Sequence, residues 1–426
     1  MSFYEERRRR TEKFLDDRFG MFIHWGLYAI PARGEWVKSR EEISDEEYQT
    51  YFEEFDPVRY DPKKWAKTAK DAGMKYAVMT TKHHDGFCLF DSQYTDYKAT
   101  NTKSGRDFIK EFADAFRAEG LKVGFYYSLI DWHHPDYPHY GDATHPMRNN
   151  EKFKDAKHDF QNYIEYLHNQ VKELLTNYGK IDIMWFDFSY NDMTGEKWEA
   201  VKLVEMIRGI QPGIIIDNRL GGDPLEAEPV AYSGDFVSPE QIIPVKKITD
   251  KLGRPVPWES CVTLNNHWGY GYLDKDYMTA QNVIHMLADA VSKDGNLLVN
   301  VGPNAKGEIP KEYFPLFEQI GAWLYENGES IYGCQSSELP QPHWGRYTKK
   351  GRLIYAHIFE RGCAQFMLEG LEGKIKKVRL LCDGAEIKIW KKFRADYPEN
   401  AFIELASSVL YDSLDTVLEI ELIEGI

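Results

Sequence analysis

Residues 75–87 read KYAVMTTKHHDGF. An unbroken apolar run, Tyr76–Thr81, ends abruptly in Lys82, His83, His84 and Asp85. Continuous runs of this length mark strands buried on both faces, whereas a strand with one wet face alternates. Upstream, Pro62–Ala72 has helical spacing; Pro62 stands where a first-turn proline belongs, and Gly73 follows as a stop. The same unit recurs along the chain. Further apolar runs lie at Met21–Trp25, Lys122–Ser128, Ile181–Asp187, Ile214–Asn218, Trp258–Val262 and Asn296–Val301. Helical patterns separate them at Asp107–Glu119, Asp155–Asn177, Lys197–Arg208, Thr279–Ser292 and Tyr313–Gly328. Strand–helix units repeated over ~300 residues predict an α/β fold, a (β/α)8-like TIM barrel. Seven runs are visible, so the barrel is expected to be irregular, with the irregular part in residues 218–257.

After Cys334 the period changes. Leu353–Phe359, Ala364–Leu368, Lys377–Leu381, Glu386–Trp390, Phe402–Leu405 and Thr416–Leu422 are short alternating segments with Gly, Asp and Asn between them. That is the pattern of an antiparallel β-sandwich. The expected division is a barrel in residues 1–334 and a C-terminal sandwich in 335–426, joined through Gln335–Trp344 with its two prolines.

Composition narrows the function. The chain has 426 residues and a net charge of −15, which repels phosphate backbones and argues against a nucleic-acid partner. No apolar run approaches the ~20 residues of a spanning helix, so no membrane association is expected. Eleven Trp, 27 Tyr and 23 Phe offer flat apolar faces with polar edges, a surface suited to sugar rings. The five cysteines (Cys88, Cys261, Cys334, Cys363 and Cys382) are widely spaced without a CxxC pair, as in a reducing compartment. The first twenty residues lack an apolar core, so no signal peptide is seen and a cytoplasmic, bacterial setting is expected. The run Arg7–Arg10 lies among Glu5, Glu6 and Glu12 and reads as a solvated helix face. A homo-oligomer is compatible with all of this.

In a barrel of this kind the chemistry sits at the C-terminal ends of the strands. Those ends carry His24; His83, His84 and Asp85; Tyr127, Asp131, Trp132, His133 and His134; Trp185 and Asp187; Asp217 and Arg219. Asp235, Glu240 and Glu259 follow in GDFVSPEQ and PWESC. Any one of these could be a helix cap or a core hydrogen-bonding group; their coincidence at successive strand ends is the signal. Adjacent strand residues point to opposite faces, so the pairs His83–His84 and His133–His134 do not make a metal site as strands, and no metal or cofactor is expected. No phosphate-binding loop is present, and Cys261 reads as an inert buried thiol. What remains is carboxylates among Trp, Tyr and His. Glycoside hydrolysis needs that set: one carboxylate attacks or activates water, and a second protonates the leaving oxygen.

The segments FGMFIHWGLYAIPARGEW (19–36), 75–97, GFYYSLIDWHHPDY (124–137), IDIMWFD (181–187), GDFVSPEQ (234–241) and PWESCVTLNNHWGY (257–270) resemble the α-L-fucosidases of glycoside hydrolase family 29. The resemblance runs in order through most of residues 15–330 and extends to the sandwich. It implies an exo-acting, retaining α-L-fucosidase that works through a covalent fucosyl-enzyme on fucose-bearing oligosaccharides or glycoconjugates. It places the nucleophile on Asp187 and sugar ligands on His24, Glu35, Trp36, His83, His84, Tyr127, Trp185 and Arg219. The acid/base falls on Glu240, with Glu259 as the rival and Glu226 or Glu228 behind them. Two positions depart from the family: Phe188 follows the nucleophile where Gly is common, which crowds or lines the leaving-group side, and His267 replaces a common Ser. Rival readings are an α-L-galactosidase, a catalytically inactive sugar-binding protein on the same fold, and a metal-dependent hydrolase using the His pairs.

Overall fold

Strands β1 (Phe19–Ile23), β2 (Tyr76–Lys82), β3 (Lys122–Ser128), β4 (Ile183–Asp187), β5 (Ile215–Ile216), β6 (Trp258–Thr263) and β7 (Gly295–Val301) form one parallel sheet. Their order is β5-β4-β3-β2-β1-β7-β6. This is a computed structural model, and it describes residues 2–360, 365–390, 396–405 and 412–423. All seven expected strands are present, and β1, β2, β4, β6 and β7 are buried throughout. Burial on both faces is the physical reason that their sequences do not alternate.

Strands β5 and β6 do not pair with each other. Residues 235–241 run between them as an extended segment. The Asp235 N–H donates to the Ile216 carbonyl, and the N–H groups of Glu259 and Cys261 donate to the carbonyls of Val237 and Pro239. Parallel bridges join Asp217 to Phe236 and Glu240 to Cys261. This segment fills the eighth barrel position. It escaped the apolar pattern because it is polar, holds Pro239 and begins at Gly234. That glycine has φ +82°, and a Cβ there would stand 2.3 Å from the Asp217 carbonyl oxygen.

The expected helices are found with small end shifts, the largest at Asp155: the helix starts at Phe160, capped by Asp159. The helix at Phe3–Asp17 corrects one expectation. Half of its basic run is not solvated. Arg7 is 1% exposed and donates to the Pro224 carbonyl. Arg10 pairs with buried Asp235, which also holds Arg208. The N-terminal helix thus ties down the irregular segment that closes the barrel.

The second set of strands is antiparallel. Strands β8 (Gln335–Ser336), β9 (Gly345–Lys350), β10 (Leu353–Ile358), β11 (Gln365–Leu368), β12 (Ile375–Leu380), β13 (Ile389–Trp390), β14 (Ala401–Glu404) and β15 (Thr416–Leu422) make two sheets. These run β12-β15-β10-β9-β8 and β11-β14-β13 around their own apolar core. Both ends of the expected linker belong to this unit, since Gln335 pairs with β9 and Trp344 is 4% exposed in the core. Cys363 and Ala364 lie outside the described residues. The unit leans on the barrel helices: Trp323 Nε1 donates to the Asp415 carbonyl at 2.9 Å, and His285 Nε2 meets the Leu414 carbonyl at 2.8 Å. Among the described residues, no helix is long and apolar enough to cross a membrane.

Candidate active site

The C-terminal ends of the strands surround a cavity of about 130 Å³. Strand β1 delivers His24, β2 delivers His83 and His84, and β4 delivers Trp185 and Asp187. Arg219 follows β5, and Glu240 comes from the segment that closes the barrel. Glu35 and Trp36 arrive on the loop after β1. Eleven residues were expected at the site from strand-end position or resemblance, with no register information, and the cavity gathers nine of them.

One cation organises the carboxylates. Arg219 donates from one guanidinium nitrogen to Asp187 at 2.8 Å and from another to Glu240 at 2.8 Å. Its Nε donates to the Ser238 hydroxyl at 3.1 Å, and its guanidinium lies 4.5 Å from the centre of the Trp185 ring. The planar fork suits two carboxylates at once. Asp187 also accepts from the Tyr126 hydroxyl at 2.7 Å. Burial alone would raise its pKa; the Arg219 guanidinium and the hydrogen bonds from Tyr126 and Arg219 outweigh burial and hold it below the usual carboxylate range. Asp187 is therefore a charged, desolvated carboxylate at neutral pH. Glu240 is more open, with 42% of its side chain exposed.

The imidazoles are neutral. Burial lowers His24 to about 4 and His84 to about 3. Their tautomers follow from their partners. The Ser128 hydroxyl donates to the Ile130 carbonyl, so it accepts from His84 Nδ1 at 2.7 Å. Asn300 donates through Nδ2 to the Trp268 carbonyl, so its Oδ1 accepts from His24 Nδ1 at 2.7 Å. Both Nε2 atoms are left as acceptors, and that of His84 stands 3.7 Å from Asp187. A sugar hydroxyl is the donor such an arrangement takes. Burial also depresses His83, whose Nδ1 has no partner among the described residues. Glu35 accepts from the N–H groups of Trp268 and Gly269 at 3.1 and 2.9 Å, which fixes the 265–270 loop against the pocket.

Two expectations need correction. Tyr127 is not in the cavity; its neighbour Tyr126 is. Strand residues alternate faces. Tyr126 is paired in register with Trp185 and Ser128 with Asp187, all on the inner face. Tyr127 points outward, donates to Gln170 at 2.8 Å and lies under the Lys82 ammonium. Glu259 is also outside the cavity. It is the second residue of β6, near the wrong end of the strand, and accepts from the Tyr76 hydroxyl inside the barrel. Burial pushes it up to about 7, only partly offset by the Tyr76 hydroxyl and Trp185 indole that face it. Glu226 pairs with Lys251 at the surface.

The remaining strand-end groups have structural partners: Asp131 holds Lys82 in a buried pair and caps the N–H groups of His133 and His134, and Asp85 accepts from Tyr48. Cys261 lines the cavity, with burial pushing its thiol well up. Among the described residues no three His, Cys, Asp or Glu side chains converge to hold a metal ion. Sequence reasoning missed Tyr126, Ser128, Asn300 and Trp268. Parity with Asp187 was the only signal for the first two, and it requires the register.

Sugar hydroxyls would meet neutral acceptors here and an acetal would meet two carboxylates, and that chemistry belongs to the glycoside hydrolases. Comparison with known proteins agrees. The family model described as Alpha-L-fucosidase matches residues 4–329. A human plasma alpha-L-fucosidase is 28% identical over 369 residues, covering 80% of this chain and 74% of that protein. The structure of alpha-L-fucosidase isoenzyme 1 from Paenibacillus thiaminolyticus is 61% identical, covers 98% of this chain and 100% of that one, and superposes with a TM-score of 0.97. An alpha-L-fucosidase from Bacteroides thetaiotaomicron, trapped as a covalent intermediate with 2-fluoro-fucosyl fluoride, is 30% identical over 97% of this chain and 96% of that one, with a TM-score of 0.83. The chain belongs to the α-L-fucosidase family, glycoside hydrolase family 29.

Proposed function

We propose that this chain is a retaining, exo-acting α-L-fucosidase in which Asp187 is the nucleophile and Glu240 the acid/base. The observation that carries the reading is the shared arginine: one guanidinium holds both carboxylates at 2.8 Å, within reach of the roughly 5–5.5 Å separation that a retaining pair uses. Asp187 attacks the anomeric carbon while Glu240 gives its proton to the leaving oxygen. Glu240 then takes a proton from water, which attacks the fucosyl ester and restores Asp187. His24, His83 and His84 take the sugar hydroxyls, and Trp36, Trp185 and Glu35 shape the pocket. Arg219 keeps Asp187 ionised before attack. The division at 334/335 and a cytoplasmic setting belong to this proposal, the latter supported by the free thiols of Cys88, Cys261, Cys334 and Cys382.

The test is incubation with 2-deoxy-2-fluoro-α-L-fucosyl fluoride followed by peptide mass mapping. The expected result is a fluorofucosyl adduct on the peptide containing Asp187 and stoichiometric release of fluoride. Turnover of p-nitrophenyl-α-L-fucoside with inverted product, or an adduct elsewhere, would sink the mechanism. Faster hydrolysis of an α-L-galactoside would replace the substrate.

A further inference from the structure

The residue after Asp187 is strained. Phe188 has φ +81°, in the left-handed region that bulky L side chains avoid. Glycine would make the same turn without that cost. What the strain retains is the ring. Its centre stands 5.3 Å from that of Trp36, 5.2 Å from His84 and 5.5 Å from Tyr190. Tyr190 is itself fixed, because its hydroxyl bonds the Asp142 carboxylate and meets the Tyr137 hydroxyl at 2.9 Å. Trp36 is fixed against Trp132 at 5.1 Å. The three rings form a continuous aromatic wall anchored at both ends.

The wall stands at the mouth of the pocket. Tyr126, Trp185, His24 and His83 on the floor are buried, at 0, 2, 4 and 4% exposure. Trp36, Phe188 and Tyr190 are half-buried, and Glu240 is more open still. A cavity of this size has room for a single terminal sugar, so whatever that sugar is attached to lies toward the more exposed side. The rings at the mouth are the first surface it meets.

We propose that Phe188 is a specificity-determining residue: with Trp36 and Tyr190 it forms a platform for the pyranose ring of the sugar that carries the fucose. The platform rests on the fucosidase reading and names the leaving-group class within it. A pyranose presents an apolar C–H face, and a rigid aromatic wall offers contact area without ordering cost. The enzyme thereby favours fucosylated oligosaccharides over fucosides of small leaving groups. The strained backbone at Phe188 is the cost of keeping that ring in place.

The test compares kcat/KM for a fucosylated disaccharide with kcat/KM for α-L-fucosyl fluoride in the wild type, Phe188→Gly, Phe188→Ala and Phe188→Tyr. Fluoride offers no ring to the wall, so the disaccharide-to-fluoride ratio reports the platform alone. The ratio should fall about tenfold in both the Gly and Ala variants, the factor that corresponds to 1.4 kcal/mol of stacking. The Tyr variant should retain most of it. Phe188→Gly should melt above Phe188→Ala, because only glycine relieves the positive φ. An unchanged or raised ratio in folded Phe188→Gly would overturn the platform and leave a ring that merely narrows the mouth. Absence of turnover of both substrates by the wild type would sink the fucosidase reading and the platform with it.

Discussion

Asp187 closes β4 and Glu259 stands second in β6, and both are buried carboxylates of the same barrel. Asp187 meets a guanidinium and a tyrosine hydroxyl and is held ionised; Glu259 meets a hydroxyl and an indole, with no cation beside them among the described residues, and is pushed up to about 7. Burial of both carboxylates therefore has opposite consequences, decided by whether a positive charge shares the site. The strand end toward which β4 runs concentrates charge for chemistry, whereas the inner barrel spends its polar groups on fixing side chains beneath the pocket. Trp185 joins the two regions, with Arg219 over its ring and Glu259 facing its indole nitrogen.

Five substitutions break or sharpen that contrast. The largest effect belongs to Asp187→Asn. Its kcat should fall by roughly 10³-fold or more while the protein still folds, since the amide keeps the shape but cannot form the ester. A near-normal rate would remove Asp187 from the mechanism.

Arg219→Met should come next, with kcat/KM down about 10²-fold from lost charge organisation. The buried aspartate then lacks its cation. Because the folded pKa of Asp187 is depressed, its contribution to stability is present above the unfolded pKa and lost as pH falls through the folded value. Without Arg219 that contribution disappears, and the acid limb of kcat/KM shifts to higher pH. The stability cost should be about 2 kcal/mol, less than for a fully dry pair because the guanidinium is partly exposed. An unmoved acid limb would deny that Arg219 sets the ionisation of Asp187.

Glu259→Gln should do the reverse: little change in turnover and a change in stability with pH. The folded pKa near 7 lies above the ordinary carboxylate value of 4.5, so the contribution of Glu259 to stability is fully present below 4.5 and is lost as pH rises through about 7. Glutamine mimics the protonated acid and should flatten that loss, a difference on the order of 3 kcal/mol at pH 8. Denaturant unfolding at pH 5 and pH 8 measures it. A collapse of kcat with normal folding would return Glu259 to the active site.

The smallest effects separate two neighbouring tyrosines. Tyr126→Phe removes a hydrogen bond from Asp187 and should lower kcat about tenfold. Tyr127→Phe removes the hydroxyl that donates to Gln170 Oε1 and should cost about 1 kcal/mol of stability without moving kcat/KM. Reversal of the two outcomes would mean that the inner and outer faces of β3 are exchanged.

Much of this molecule is local in origin. Apolar runs closed by polar residues, a proline at a first turn, and aspartates before helices depend on neighbours within a few positions, so the strands, the helices and the strand-end candidates His24, His83, His84, Asp187 and Arg219 were legible in the sequence alone. Tertiary structure decided whatever depends on partners far along the chain. The inward turn of Tyr126 rather than Tyr127 follows from its register against β4. The eighth barrel position is a polar segment held by hydrogen bonds from β5 and β6, which no apolar pattern announces. The choice between Glu240 and Glu259 follows from which end of a strand each occupies and from where one arginine reaches. The burial of Arg7 and Arg10 follows from a chain segment more than two hundred residues away. Sequence carries the periodicities of single elements, and only the folded chain sets the register and the long-range pairs that give each charge its neighbour.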